Sequence, residues 1–71
     1  MVKPGIYQHF KGGRYQVLGS AVHSENDEVM VVYFPLYGDQ AWFVRPLEMF
    51  LEQVEYEGKW VPRFEWVCDA E

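Results

Sequence analysis

The sequence has a single cysteine and few cations, and each shortage argues against a class of protein. Cys68 has no second cysteine among the 71 residues, so an internal disulfide and a zinc knuckle are both excluded. Six Lys and Arg residues against eleven Asp and Glu residues give a net charge of −5. An acidic surface repels a phosphate backbone. We therefore expect a fold that needs no disulfide, and nucleic acid is a disfavoured partner.

Long hydrophobic runs are also missing. The longest uncharged run, Val29 to Gly38, contains Pro35 and is far too short to cross a membrane. The first five residues lead into a turn and not into the apolar segment of a signal peptide. These features predict a cytoplasmic protein without membrane attachment. We interpret residues 1–71 as one domain, with a core over about 4–67 and a short acidic C-terminal tail.

Aromatic side chains are abundant. The chain has three Trp, five Tyr and five Phe residues, and each ring buries a large area at little cost in rotamer freedom. A small domain without disulfides needs that area, but its interior cannot hold every ring. We therefore expect some rings at the surface, where they could line a peptide groove or form a cage for a methylated amine. The candidate rings are Tyr7, Tyr33, Tyr37, Trp42 and Trp60.

Turn signals recur about every ten residues, with apolar or β-branched runs between them. This rhythm predicts short antiparallel strands. Gly19 falls in the middle of the second strand and predicts a bulge or a sharp bend there. Pro62 cannot donate a hydrogen bond to a ladder and predicts an edge strand. The predicted strands are 5–10, 14–24, 28–37 and 41–45, followed by a hairpin of 52–57 with 59–67.

The segment at residues 46–51 breaks the β rhythm. Apolar residues at positions 47, 50, 51 and 54 follow helical spacing, and Pro46 suits the first position of a helix. We predict one or two helical turns there. Strands followed by a helical turn and a closing strand indicate an all-β fold, a small SH3-like barrel of five or six short antiparallel strands. An open, strongly twisted sheet capped by the helical turn is the alternative.

Ordered motifs run along most of the chain. They are PGIYQHFKG at 4–12, YQVLG at 15–19, AVHSE at 21–25, VY at 32–33, LYG at 36–38, VRPLEMF at 44–50 and PRF at 62–64. Together they resemble a known family of short, mostly bacterial proteins, catalogued as domain of unknown function 1653. The resemblance implies an SH3-like β fold and a cytoplasmic setting, and it implies no reaction, substrate or partner.

Two positions depart from the pattern of that family. Phe10 stands where the family usually has Tyr, and Phe43 stands where it usually has Trp. Trp42 comes one place earlier, and strand alternation puts it on the opposite face from Phe43. A role for the family's tryptophan therefore does not transfer directly to this chain.

Several polar residues could take part in chemistry, although most catalytic motifs are absent. The sequence has no glycine-rich phosphate-binding loop, no His-Glu-x-x-His motif of zinc proteases and no Gly-x-Ser-x-Gly nucleophile elbow. We predict no cofactor and no metal, because two imidazoles are too few ligands. His9 and His23 could transfer protons, or their ring nitrogens could bond the backbone at strand ends. Arg45 could bind a carboxylate or phosphate through two parallel hydrogen bonds of its guanidinium. Alternatively, it could pair with Glu48 or Glu25, or cap exposed carbonyls.

These features together predict a noncatalytic module that binds a peptide, a protein or a small polar ligand. Rings would supply contact area, while Arg45 and the histidines would supply directed hydrogen bonds. The alternative is a small enzyme or regulatory ligand-binding domain, with His9 or His23 as general base and Arg45 holding an oxyanion. The predicted site is a rim formed by Tyr7, His9, His23, Tyr37, Trp42 and Arg45.

Overall fold

The computed structural model describes residues 2–70, which form two antiparallel sheets and one short helix. The main sheet has five strands in the order β4-β3-β2-β1-β7, and β5 pairs with β6 in a separate sheet of two strands. This confirms the predicted mostly antiparallel β structure. The elements are β1 Gly5–His9, β2 Arg14–Val22, β3 Val29–Pro35, β4 Phe43–Pro46, α1 Leu47–Phe50, β5 Gln53–Tyr56, β6 Lys59–Pro62 and β7 Phe64–Cys68.

The predicted bulge at Gly19 is present in β2. The register of β2 against β3 shifts between Val17 and Gly19. Gly19 has a φ of 150°, a conformation that costs glycine far less than a residue with a Cβ atom. An extra residue in one strand bends that strand and increases its twist. The bulge therefore curves the long β2 strand in the centre of the main sheet.

Gly5 is the second glycine with a structural requirement, because β1 and β7 approach closely there. A Cβ atom at Gly5 would lie 2.7 Å from the carbonyl oxygen of Cys68 and 2.7 Å from Nε1 of Trp66. Contacts that short require the backbone of β7 to move. The pairing of β1 with β7 therefore depends on a residue without a side chain at this position.

The buried core lies on one face of the main sheet, which we call the core face, and α1 covers part of it. Phe50 of α1 is 1% exposed and stacks on Phe64 of β7, with ring centroids 4.3 Å apart. It also meets Tyr7 edge-on at 5.3 Å and Tyr33 at 5.6 Å. Aromatic packing therefore supplies most of the core, as the composition predicts. The buried members are Val2, Tyr7, Val17, Val31, Tyr33, Phe50 and Phe64.

The last predicted strand, 59–67, is wrong as a single element, because it divides at Arg63 into β6 and β7. The backbone N–H of Arg63 donates to the carbonyl of Glu52 at 2.9 Å, next to the hairpin. The carbonyl of Arg63 accepts the N–H of Phe10 at 3.0 Å, beside the main sheet. The chain thus passes from one sheet to the other at this residue. Residues 2–70 accordingly contain seven strands, not the five or six predicted.

Smaller corrections concern the ends of elements. The predicted β2 and β3 extend too far, because the N–H of His23 donates to the carbonyl of Glu28 at 2.8 Å and closes a turn. The predicted helical turn is confirmed at Leu47–Phe50, but Pro46 is its N-cap residue and the last residue of β4. Within residues 2–70, no helix has the length and apolar character needed to span a membrane.

Candidate ligand-binding pocket

A pocket of about 340 Å³ opens on the core face of the main sheet, and all five strands of that sheet contribute to it. We call it the aromatic pocket. Its volume falls within the range of about 300–1,000 Å³ that is typical of small-molecule sites. The lining residues are His9 from β1, Tyr15 from β2, Tyr33 from β3, Phe43, Val44 and Arg45 from β4, and Phe64 from β7.

Strand register explains why side chains from distant parts of the sequence meet in this pocket. His9 lies directly opposite Phe64 in the pairing of β1 with β7, and Tyr33 lies opposite Phe43 in the pairing of β3 with β4. Residues directly opposite each other in antiparallel strands project from the same face. The pairing therefore brings a histidine and three rings to one face of the sheet.

Phe64 is the ring at the centre of the pocket. It is 7% exposed, and its centroid lies 5.0 Å from that of His9, 5.6 Å from that of Tyr15 and 5.5 Å from that of Tyr33. The guanidinium carbon of Arg45 lies 5.8 Å from the same centroid, within the range of a cation–π contact. Phe64 thus contacts both the buried core and the polar side chains of the pocket.

Arg45 is held at the pocket without a carboxylate partner. Its Nε donates to the hydroxyl of Tyr33 at 3.2 Å, and the side chain is half-buried. The ion pair found among residues 2–70 joins Arg63 to Glu52 at 2.7 Å. The alternative in which Arg45 pairs with Glu48 or Glu25 is therefore wrong for the described part of the chain. Neither Nη group of Arg45 has a hydrogen-bond partner there.

His9 presents a hydrogen-bond donor to its surroundings. Its Nδ1 accepts the backbone N–H of Lys11 at 3.2 Å, so the neutral ring carries its proton on Nε2. Burial lowers the pKa of His9, and the positive charges of Arg45, Arg63 and Lys11 lower it further. The imidazole is therefore neutral at pH 7.

Two tyrosine hydroxyls form a pair at the edge of the pocket. The hydroxyls of Tyr15 and Tyr37 lie 2.9 Å apart, and Tyr37 is 55% exposed. This hydrogen bond, together with burial, raises the pKa of Tyr15 to about 12. Tyr15 therefore stays protonated at physiological pH, and one hydroxyl of the pair keeps a proton that it can donate to a ligand.

The structure brings three of the six predicted site residues together. His9 and Arg45 line the aromatic pocket, and Tyr37 adjoins it through its bond to Tyr15. These three lie at one end of the core face. Whether they contact a ligand stays a prediction.

The other three predicted residues lie elsewhere, so the six do not form one rim. Tyr7 is 7% exposed in the core, where its hydroxyl donates to the carbonyl of Lys3 at 2.7 Å. Trp42 is 69% exposed and stacks on Phe34 at 6.5 Å, on the face of the sheet opposite Tyr33. This arrangement agrees with the predicted separation of Trp42 from Phe43.

His23 lies in the turn between β2 and β3 and is exposed. Its Nδ1 accepts the backbone N–H of Glu25 at 3.1 Å. His9 makes the corresponding bond to Lys11, two residues further along the chain. Both histidines therefore bond the backbone beside a strand end, which is the structural role that the sequence analysis weighed against proton transfer.

The predicted site omitted several pocket residues, namely Tyr15, Tyr33, Phe43, Val44 and Phe64. Alternation along the second strand puts Tyr15 and Val17 on one face, so a signal for Tyr15 is present in the sequence. Tyr33 was among the candidate rings. Phe64 gave no comparable signal, because its position depends on the pairing of β1 with β7. Within residues 2–70, no group of three or more His, Cys, Asp or Glu side chains is placed to hold a metal ion.

The fold and the pocket define a small antiparallel β protein with a concave aromatic site. The chain matches the model of the family described as Protein of unknown function (DUF1653) over residues 5–66, and it belongs to that family. This confirms the resemblance noted in its motifs. Among solved structures it is similar to the crystal structure of a DUF1653 protein from Bordetella bronchiseptica, with 38% identity and a TM-score of 0.90. The similarity covers 99% of this chain and 92% of that chain. The comparison with curated proteins gave no match.

Proposed function

We propose that this protein is a noncatalytic binding module and that its ligand, a peptide, a protein or a small polar molecule, enters the aromatic pocket. The observation that carries this proposal is the state of Arg45. Arg45 is half-buried, its guanidinium carbon lies 5.8 Å from the ring centroid of Phe64, and its Nη groups lack a protein partner among residues 2–70. These Nη groups are not among the buried unpaired atoms, so they are open to a ligand that arrives from solvent. An acceptor on the ligand would form charge-assisted hydrogen bonds with them.

The pocket is also rigid in the way that a binding site requires. Tyr33 is 4% exposed, and its ring contacts Phe50 and Phe64 of the core. Its hydroxyl fixes the Nε of Arg45. A side chain that is already ordered loses little entropy when a ligand binds. The contact with Tyr33 therefore supports a preformed site.

The hydrogen bond of His9 and the position of His23 favour a binding module over the enzyme alternative. A general base needs a free lone pair within reach of the proton that it removes. The Nδ1 lone pair of His9 accepts the N–H of Lys11, and the nitrogen left to face a ligand carries a proton. His23 lies outside the pocket. These contacts support a role for His9 as a hydrogen-bond donor.

The proposal includes two broader features. The order of strands, with α1 between β4 and β5, supports assigning the fold to the SH3-like barrels. We place the module in the cytoplasm, without membrane attachment. Its net charge of −5 leaves nucleic acid outside the proposed partners.

The test compares two neighbouring aromatic residues. Isotope-labelled protein is titrated with fractionated cell lysate, and NMR peaks are followed for the wild type and for the Phe43→Ala and Trp42→Ala variants. Phe43 lines the aromatic pocket, whereas Trp42 stacks on the opposite face. We expect wild-type shifts to cluster at the pocket, and we expect Phe43→Ala alone to weaken them. Shifts confined to the β5–β6 hairpin, or equal effects of both variants, would contradict the proposal.

A further inference from the structure

The polar groups around the aromatic pocket are mainly hydrogen-bond donors, and no carboxylate is among the residues that line it. The two Nη groups of Arg45 offer four N–H bonds. The neutral ring of His9 offers an Nε2–H, because its Nδ1 already accepts a bond. The paired hydroxyls of Tyr15 and Tyr37 retain one further proton. A ligand that satisfies these groups must bring acceptor atoms.

The residues that line the pocket carry one positive charge. Arg45 is the cation among them, and it has no carboxylate partner within residues 2–70. Two cations outside the lining also act on His9, namely Arg63, which Glu52 compensates at 2.7 Å, and Lys11, whose ammonium lies 5.7 Å from the ring centroid of Phe10. A ligand with one negative charge matches the lining residues better than a dianion, because the second charge of a dianion would meet no further cation among them in a protein with a net charge of −5.

The free edge of Arg45 also has a definite shape. Because Nε is occupied by the hydroxyl of Tyr33, the remaining donors are the two Nη groups at the end of the guanidinium. Those groups form a planar fork that matches the two oxygens of a carboxylate. Phe43 lines the same pocket and is 46% exposed, so its ring offers apolar surface to a ligand. The ring of Tyr33, with its centroid 6.0 Å away, is 4% exposed and supports Phe43.

We infer that the aromatic pocket binds a singly charged carboxylate attached to a flat apolar group, with the Nη groups of Arg45 on the carboxylate and the ring of Phe43, supported by Tyr33 and Phe64, against the apolar part. This inference rests on the proposed binding function and names the chemistry of its ligand. A free aromatic acid and the C-terminal carboxylate of a peptide that ends in an aromatic residue share this chemistry.

The first experiment needs no variant. Isotope-labelled protein is titrated with 3-phenylpropionate and, separately, with 3-phenylpropionamide, which has a similar shape but no charge. We expect the acid to shift the peaks of His9, Tyr33 and Arg45 and to bind about tenfold more tightly than the amide or better, because charge-assisted hydrogen bonds are lost with the amide. Equal affinity for the acid and the amide would overturn the inference.

The second experiment uses matched arginine variants. Arg45→Gln and Arg14→Gln remove the same charge, but Arg14 lies outside the pocket lining at the start of β2. Arg45→Lys keeps the charge and loses the fork. We expect both Arg45 variants to lose about tenfold in affinity for 3-phenylpropionate, with Arg14→Gln unchanged. Circular dichroism confirms folding of each variant. An equal loss in Arg14→Gln would overturn the inference.

Further probes separate the possible sources of the carboxylate. N-acetyl-glycyl-phenylalanine supplies a peptide carboxylate, and its C-terminal amide is the control. Tighter binding of this peptide acid than of 3-phenylpropionate assigns the site to peptide C-termini, and the reverse order assigns it to free acids. Inorganic phosphate, if it binds as tightly as either acid, overturns the preference for a monoanion.

The outcomes also distinguish this inference from the proposed function. If the acids cause no shifts at the pocket while a lysate component does so and depends on Phe43, the carboxylate inference is wrong and the binding function stands. If neither the acids nor any lysate component shifts the pocket peaks, both are wrong.

Discussion

Two aromatic pairs at β3 and β4 lie side by side in the sequence but on opposite faces of the main sheet. Tyr33 pairs with Phe43 on the core face, where Tyr33 is 4% exposed and its hydroxyl holds Arg45. Phe34 stacks with Trp42 on the other face, where Trp42 is 69% exposed. The first pair is fixed by further rings and by a polar group, whereas the second pair contacts no further ring and makes no side-chain hydrogen bond among residues 2–70. We therefore base the proposed site on the ring that is attached to an ordered polar neighbour, and not on the ring that is most exposed.

The largest expected difference between the two faces is in how much a ring on each face contributes to the free energy of unfolding. Phe64→Ala removes the ring that contacts Phe50, Tyr15 and Tyr33, so we expect the free energy of unfolding to fall by about 3–5 kcal/mol. Trp42→Ala, on the opposite face, should change it by about 0.5 kcal/mol or less. Denaturant unfolding measures both. Similar losses in the two variants would mean that the faces do not differ as described.

A smaller effect is expected when the link between the core and Arg45 is removed. Tyr33→Phe keeps the ring and deletes the hydroxyl that accepts from Nε, at a cost of about 0.5–1.5 kcal/mol in stability. The guanidinium of Arg45 also loses the hydrogen bond that positions it, so affinity for 3-phenylpropionate should fall severalfold. Tyr56→Phe is the control, since Tyr56 is an exposed tyrosine of the hairpin. If affinity is unchanged, Tyr33 does not position Arg45.

The smallest effect concerns the hydroxyl pair at the pocket edge. The raised pKa of Tyr15, about 12 compared with 10.0 ordinarily, means that folding favours the protonated phenol. Its contribution to stability is fully present below about pH 10 and is lost as the pH rises through about 12. Tyr37→Phe removes the hydrogen bond that is the main cause. We therefore expect the pKa of Tyr15 to move toward its ordinary value, as measured by NMR of the tyrosine ring carbons. An unchanged midpoint would contradict this assignment.

Local patterns in the sequence predict the features of the fold that depend on local chemistry. The mid-strand Gly19 predicts the bulge in β2, and the apolar spacing after Pro46 predicts α1. The division of the last strand at Arg63 is not predictable in this way. It depends on the bonds that Arg63 makes to Glu52 and Phe10, and those residues become neighbours only when the two sheets are assembled.

The candidate site likewise contains residues that local patterns predict and residues that depend on how the sheets and the helix assemble. His9 and Arg45 can be identified from the sequence because histidine and arginine side chains can donate hydrogen bonds to a ligand. Alternation shows that Tyr15 and Val17 share a face of β2, and the register of β1 with β2 places Tyr7 directly opposite Tyr15. It does not show that Phe50 packs on Tyr7 at 5.3 Å and leaves Tyr15 at the pocket. That outcome depends on where α1 is placed over the sheet.

Gly5 lies at the opposite end of β1 from His9, in the strand pair that also brings Phe64 to the aromatic pocket. A methyl group at Gly5 would lie 2.7 Å from the carbonyl oxygen of Cys68, so β1 and β7 would have to separate at that end. Phe64 lies at the other end of β7, opposite His9. The strand pair that supplies two of the pocket's side chains therefore tolerates no side chain at its far end.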